Sequence, residues 1–214
     1  MTNNAMLLHC AVICTAGMAV IILLLQMVFG KKDARLLPSP TDVGIMSAVM
    51  LAVTFLLARK YQNPLLFFMY VCLVYYLCIT AYIDKKTSEV YCILNYAGLL
   101  AGSVFFLYQY TFVLNRPVSS LALILAGLTL LLSKALHLYG SGDGEIFGVV
   151  SVFILAGNSS LDSIFYLYMM YMAALLLITL THLKDIDWEN MRFKQPLPFA
   201  PSIFAATVLT LLVM

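Results

Sequence analysis

Eight apolar stretches separated by short polar connections run from one end of the sequence to the other. They cover residues 5–29, 43–58, 64–83, 90–114, 118–138, 146–156, 164–182 and 199–214. A stretch of about 20 apolar residues matches the bilayer core, where only helices and closed barrels satisfy their own backbone hydrogen bonds. The sequence therefore predicts an all-α, polytopic integral membrane bundle of about eight segments, one of them short, with residues 1–214 forming a single domain.

The composition excludes several classes of protein. Hydrophobic residues make up 63% of the chain and charged residues 10%, against roughly a quarter charged in soluble domains. A soluble domain of this length cannot bury so much apolar surface, and disorder or nucleic-acid binding requires more charge. No Cys-x-x-Cys pair or His/Asp/Glu cluster has metal-ligand spacing, so we expect neither a metal nor a cofactor. The first stretch lacks a signal-peptide pattern, and we expect a retained anchor.

The basic residues favour one orientation. If the connection 30–42 is cytoplasmic, alternation places 84–89, 139–145 and 183–198 on the same side. These connections hold eight basic residues, Lys31, Lys32, Arg35, Lys85, Lys86, Lys184, Arg192 and Lys194, against Arg59, Lys60 and Arg116 opposite. Both termini are then expected outside. The short stretch 146–156 could be re-entrant, but that would place Lys184, Arg192 and Lys194 outside, so the charge rule favours a true span; its helix is then expected to begin near Asp143 and run past Gly157.

Two carboxylates are predicted to share one depth in the membrane. Asp84 ends the third apolar stretch, and Asp143 lies in the sequence GSGDGE at 140–145. Two such groups at a low-dielectric boundary do not both ionise easily, so one keeps a proton. An aspartyl hydrolase needs this arrangement, because one carboxylate takes a proton from water while the other polarises an amide carbonyl. A helix N-cap or a solvated loop residue is the alternative for each carboxylate.

Helix ends and glycines refine this picture. Asp143 is expected to open a helix and Asp84 to close one, which predicts the charge on Asp143 and the proton on Asp84. The glycines Gly140, Gly142 and Gly144 permit close backbone approach and a sharp turn.

The sequence at 140–143 resembles the GxGD signature of intramembrane aspartyl proteases, and the rest of the chain resembles the prepilin peptidase (type IV leader peptidase) family. Three features occur in the same order: an aspartate ending an early helix, the GxGD loop, and the sequence PLPFAP at 196–201 before the last helix. The resemblance implies Asp84 and Asp143 as catalytic residues. It also implies supporting roles for the motif residues Gly140, Gly142, Gly144, Pro198, Phe199 and Pro201.

The resemblance further implies a substrate and a location. Family members cut a basic leader from type IV prepilin-like or pseudopilin precursors at the cytoplasmic face of a prokaryotic inner (plasma) membrane. Larger members carry a cytoplasmic insertion with Cys-x-x-Cys zinc ligands, linked to N-methylation of the product. The corresponding connection here, 30–42, is short and has no cysteine, so N-methyltransferase activity is not expected. The chain departs from the family pattern at Val90-Tyr91, usually Ile-Pro, and at Glu145, commonly Lys.

Acidic residues around the proposed site are candidates to hold a basic leader. They are Glu89, Glu145, Asp185 and Asp187. A solvated charge cluster is the alternative, because neighbouring lysines partly cancel these charges. The expected partners are the precursor and membrane lipid.

Two other functions stay open. One is a protease of the presenilin or signal-peptide-peptidase type, although that group has Tyr directly before Asp and Ile83 separates them here. The other is a small proton-coupled transporter that uses both aspartates as a relay.

Overall fold

The computed structural model describes residues 3–31, 33–135, 140–157, 162–187, 192–193 and 197–214. Within these ranges the chain forms a bundle of α-helices: α1 (Asn3–Leu24), α2 (Pro40–Lys60), α3 (Pro64–Thr87), α4 (Cys92–Phe112), α5 (Arg116–Ala135), α6 (Ser141–Gly157), α7 (Asp162–Thr181) and α8 (Ala200–Val213). A π-helical turn, Leu25–Phe29, continues α1. The 3-10 turns are Ala34–Leu36 and Leu183–Asp185, and the two-residue strands β1 (Ile186–Asp187) and β2 (Arg192–Phe193) pair antiparallel.

Six helices of the described chain, α1 to α5 and α7, are long and apolar enough to cross a membrane. This confirms the predicted all-α, polytopic membrane bundle. Helix α6 has 17 residues and α8 has 14, so at 1.5 Å per residue they rise roughly 25 Å and 21 Å. Two segments are therefore short, where the sequence predicted one. As predicted, α6 carries Asp143 in its first turn.

Local sequence signals explain where the central helices begin and end. The Ser39 hydroxyl accepts a hydrogen bond from the Asp42 amide at 3.1 Å, and the Asp42 carboxylate accepts one from the Ser39 amide at 3.2 Å. This capping box starts α2. The Asn63 side chain caps α3 in a similar way. Ser88 ends α3 in the left-handed conformation, with φ 54°.

Helix α3 lies at the centre of the bundle and carries one of the candidate carboxylates. Every residue from 78 to 84 is buried, and α3 packs against α2, α4, α6 and α8. Helices α4 and α6 approach closely because α4 presents Gly98 and Gly102 on one face. A Cβ atom on Gly98 would lie 3.1 Å from the Val149 side chain of α6, and one on Gly102 would lie 2.9 Å from the Phe153 ring of α6. Such small-residue spacing is typical of closely packed membrane helices.

Candidate active site

Asp84 lies in the last turn of α3 and is almost completely enclosed, with 3% of its surface exposed. Its carboxylate accepts a hydrogen bond from the backbone amide of Ala200 at 2.7 Å, and the backbone amide of Phe199 is a second donor nearby. Both donors come from the beginning of α8. A buried carboxylate must be hydrogen-bonded to offset its desolvation, and the N-terminus of α8 supplies those bonds.

The proline-rich segment explains why α8 begins at this point. Proline fits the first turn of a helix, where amides have no intrahelical partner, and Pro201 occupies that turn. The Phe199 side chain is buried, and its ring centroid lies 5.7 Å from that of Phe147 on α6. This contact fixes the start of α8 against α6 as well as against Asp84. Pro198 is half-buried, and Pro196 lies outside the described residues.

Asp143 lies in the first turn of α6 and is half-buried. The backbone amide of Gly140 is a donor close to the Asp143 carboxylate, and the Gly144 amide donates to the Gly140 carbonyl at 3.1 Å. A Cβ atom on Gly142 would lie 2.8 Å from the Val90 Cβ. No described glycine has a positive φ. Gly142 is therefore required because Val90 lies so close to its backbone, and not because the backbone adopts an unusual conformation there.

The two aspartates meet at one end of the bundle, which we call the dyad end. Phe147 follows Asp143 by one helical turn and packs on Phe199, whose neighbour Ala200 donates to Asp84. The carboxyl of Asp143 lies within electrostatic range of Asp84. The structure thus brings together the three sequence features on which the resemblance depends.

The hydrogen bonds argue against the charge assignment made from helix ends. That assignment placed the proton on Asp84 because α3 ends there. However, the N-terminus of α8 points two amide donors at the same carboxylate, and donors to the charged form favour it. The packing of α8, which the helix-end argument left out, therefore acts in the opposite direction and offsets part of the cost of ionising the buried Asp84.

The predicted leader-binding residues differ in the contacts that they make with other residues of the chain. The Glu145 carboxylate accepts a hydrogen bond from the Asn95 side chain at 2.8 Å, inside the contact between α4 and α6. Asp185 is exposed and lies 3.0 Å from the ring of His182. The side chain of Asp187 lies outside the described residues.

Glu89 faces the connection that precedes α2. It is exposed and lies within electrostatic range of Arg35. Arg35 also forms an ion pair with Asp33 at 2.7 Å, and the hydrogen bond from Arg35 lowers the pKa of the Asp33 carboxyl. Both partners of that pair are therefore charged at neutral pH.

Sequence reasoning missed two groups of polar residues near the dyad end. The buried side chains of Tyr76 and Asn95 hydrogen-bond with each other at 2.7 Å. Asp42 of α2 pairs with Lys86 at 3.0 Å. The apolar stretch 90–114 contains two side-chain amides, Asn95 and Gln109, and a polar residue in a membrane helix usually has a partner, which was the available signal for Asn95. The Asp42 pairing had no comparable signal.

A groove of about 440 Å³ opens between α2, α3 and α8. We call it the α2–α8 groove. Its walls are mainly apolar, and charged residues stand at the dyad end. It is lined by Asp42, Ile45, Met46, Val49, Cys78, Ala81, Tyr82, Lys85, Lys86, Pro201 and Phe204. Ala81 and Lys85 lie within one turn of Asp84 on α3, although Asp84 itself does not line the groove.

Across the described ranges, no three His, Cys, Asp or Glu side chains cluster as metal ligands. No family model, curated protein or solved structure matches the chain. The fold and the site together define a polytopic helical membrane protein with a partly enclosed pair of carboxylates.

Proposed function

We propose that this protein is a membrane-embedded aspartic endopeptidase. The observation that carries the proposal is the meeting of Asp84 and Asp143 at one end of the bundle, with the first amides of α8 bound to Asp84. More particularly, the resemblance at 140–143 and 196–201 supports a prepilin peptidase. Its substrate is then a type IV prepilin-like or pseudopilin precursor with a basic leader.

In the proposed reaction, Asp84 acts as the base and Asp143 as the acid. Ionised Asp84 takes a proton from a water molecule, and the water oxygen attacks the scissile amide carbon while protonated Asp143 polarises the carbonyl oxygen. Asp84 then gives the proton it took from water to the amide nitrogen as the C–N bond breaks, and the acid group of the pair returns to its starting state. The products are the leader, ending in a carboxylate, and the mature chain with a free amino terminus.

The α2–α8 groove suits the apolar segment of the precursor. Its apolar walls run along the membrane part of α2 and α3, and its charged end contains Lys85, the residue that follows Asp84 in the sequence. We place the dyad end at the cytoplasmic face of a prokaryotic plasma membrane, with both termini outside, because eight basic residues lie in the connections at that end. The short connection 30–42, without cysteine, favours cleavage without methylation.

Cleavage in liposomes tests the proposal. The purified protein is reconstituted with a peptide that has a basic leader, a glycine and an apolar helix. We expect Asp84→Asn and Asp143→Asn each to lower the cleavage rate by about a thousandfold or more, and the double variant to be little worse, because residues that act as a unit are not additive. Asp162→Asn, on an exposed carboxylate in the first turn of α7, is the matched control and is expected to cleave like wild type.

The same liposomes distinguish the alternatives. A pH-sensitive dye inside them reports proton flux, and a proton-coupled transporter would show Asp-dependent flux with no cleavage. Mass spectrometry of the products locates the cut and detects methylation. A cut within the apolar helix, independent of the leader, would indicate another GxGD protease instead.

A further inference from the structure

A chain of three hydrogen-bonded side chains connects the helices that carry the two aspartates. The Tyr76 hydroxyl on α3 donates to the Asn95 carbonyl oxygen at 2.7 Å, and the Asn95 amide on α4 donates to the Glu145 carboxylate at 2.8 Å. Tyr76 and Asn95 are buried, and Asn95 is 2% exposed. Inside a helical membrane bundle such bonds have little competition from water, so their geometry is well defined.

The chain is placed to set the relative depth of the dyad. Tyr76 lies about two helical turns before Asp84 on α3, and Glu145 is separated from Asp143 by one residue on α6. Both polar groups of the Asn95 side chain are used, so this residue holds Tyr76 and Glu145 in one fixed arrangement. A sliding movement of α6 along α4 would break the bond to Glu145.

Packing around the same residues reinforces this arrangement. Gly98 lies one turn after Asn95, and a Cβ atom there would meet both the Tyr76 ring at 2.8 Å and the Val149 side chain at 3.1 Å. The hydrogen bonds and the close packing of α3, α4 and α6 therefore coincide. Small residues permit the close approach, and the polar chain selects one register within it.

We propose that Tyr76, Asn95 and Glu145 are positioning residues that hold the first turn of α6 where Asp143 meets Asp84. Glu145 serves as a hydrogen-bond acceptor within the bundle and does not contact the precursor's leader. This inference rests on the proposed peptidase function for its kinetic consequences. Its structural part, the fixed register of α6, is measurable without cleavage.

The test compares Glu145→Gln with Glu145→Leu in the liposome assay. Gln keeps an acceptor oxygen for Asn95 but removes the charge, whereas Leu removes both. We expect Glu145→Gln to keep kcat and KM within about twofold of wild type. We expect Glu145→Leu to lower kcat about tenfold with little change in KM, because a buried donor loses its partner while substrate binding is untouched.

A leader contact would give a different pattern. Both variants would raise KM equally, and the effect would vanish with a peptide whose leader lysines and arginines are replaced by glutamine. That result would overturn the inference while leaving the proposed function intact. Failure of the wild-type protein to cleave any precursor peptide would instead contradict the proposed function.

Two further measurements keep the inference testable if Glu145→Leu does not fold. Tyr76→Phe removes a single hydroxyl from the same chain and is expected to lower kcat about threefold with KM unchanged. Hydrogen exchange of the segment 140–147 is expected to accelerate in Asn95→Leu and in Glu145→Leu, but not in Glu145→Gln. Unchanged exchange and unchanged kcat in Tyr76→Phe and Asn95→Leu would reject the positioning role.

Discussion

The carboxyl of Asp84 receives its hydrogen bonds from a helix that begins 116 positions later in the sequence. The site therefore depends on how closely separate backbones approach one another at individual residues. Gly142 is the clearest case, because its position beside Val90 leaves no room for a side chain. The Asp143 carboxylate follows this residue directly, so any displacement of Gly142 moves the acid of the proposed dyad.

We predict that Gly142→Ala displaces the start of α6. The new methyl group would lie 2.8 Å from the Val90 Cβ, and overpacking of this kind costs about 1–3 kcal/mol. We expect cleavage to fall about tenfold or more and thermal stability in detergent to fall as well, measured on the purified variant.

Two variants serve as controls for that prediction. Gly127→Ala adds a methyl group where no atom lies within 4 Å, and its activity is expected to match wild type. Val90→Gly, combined with Gly142→Ala, removes the contacted carbon and is expected to restore most of the activity. If Gly142→Ala alone cleaves normally, the close approach does not control the site.

At the scale of helices, α8 performs two tasks. Its first amides hold Asp84, and its residues Pro201 and Phe204 form one wall of the α2–α8 groove. The opposite wall is a single face of α2, formed by residues 42, 45, 46 and 49, which is the spacing of one helical face. A bulky substitution on α2 can therefore obstruct the groove without altering Asp84 or α8.

We predict that Val49→Trp weakens precursor binding. The indole would fill part of the groove, so the precursor would bind less tightly in the ground state and the transition state alike. KM is therefore expected to rise about tenfold, whereas kcat changes little because the dyad is unaltered. Leu51→Trp is the matched control, since Leu51 is 41% exposed and Val49 39%, but only Val49 lines the groove. Equal KM values for the two variants would contradict the proposed use of the groove.

For the whole molecule, the distribution of basic residues predicts the orientation in the membrane. Positions 88 and 192 lie in connections expected in the cytoplasm, and position 62 lies in a connection expected outside. Cysteines are introduced at these positions in turn, with the native, exposed Cys92 replaced by serine. A membrane-impermeant maleimide is expected to label 62 in spheroplasts, and 88 and 192 in inverted vesicles.

This labelling pattern decides between two topologies. If 88 and 192 react from opposite sides, α6 does not cross the membrane, and the orientation argued from charge is wrong. The carboxylate pair and its hydrogen bonds do not depend on that outcome, so the labelling and cleavage experiments test separate statements.

Local signals in the sequence were enough for the helical class, the approximate position of each helix and the helix ends at which the two aspartates lie. Apolar length, capping residues such as Ser39 and Asn63, and the glycines around Asp143 act over a few neighbouring residues, and a single sequence contains them directly. The same reasoning predicted that Asp143 opens a helix, and the structure confirms it.

Contacts between distant segments were decided by tertiary packing alone. The sequence did not indicate that α8 would direct two amides at Asp84, that Asn95 would join Tyr76 to Glu145, or that Asp42 would pair with Lys86. Each of these contacts joins residues on different helices, whose relative rotation and depth are set by the packing of many side chains at once. Apolar periodicity determines which segments become helices, whereas the partner of each polar group depends on which helix faces come together.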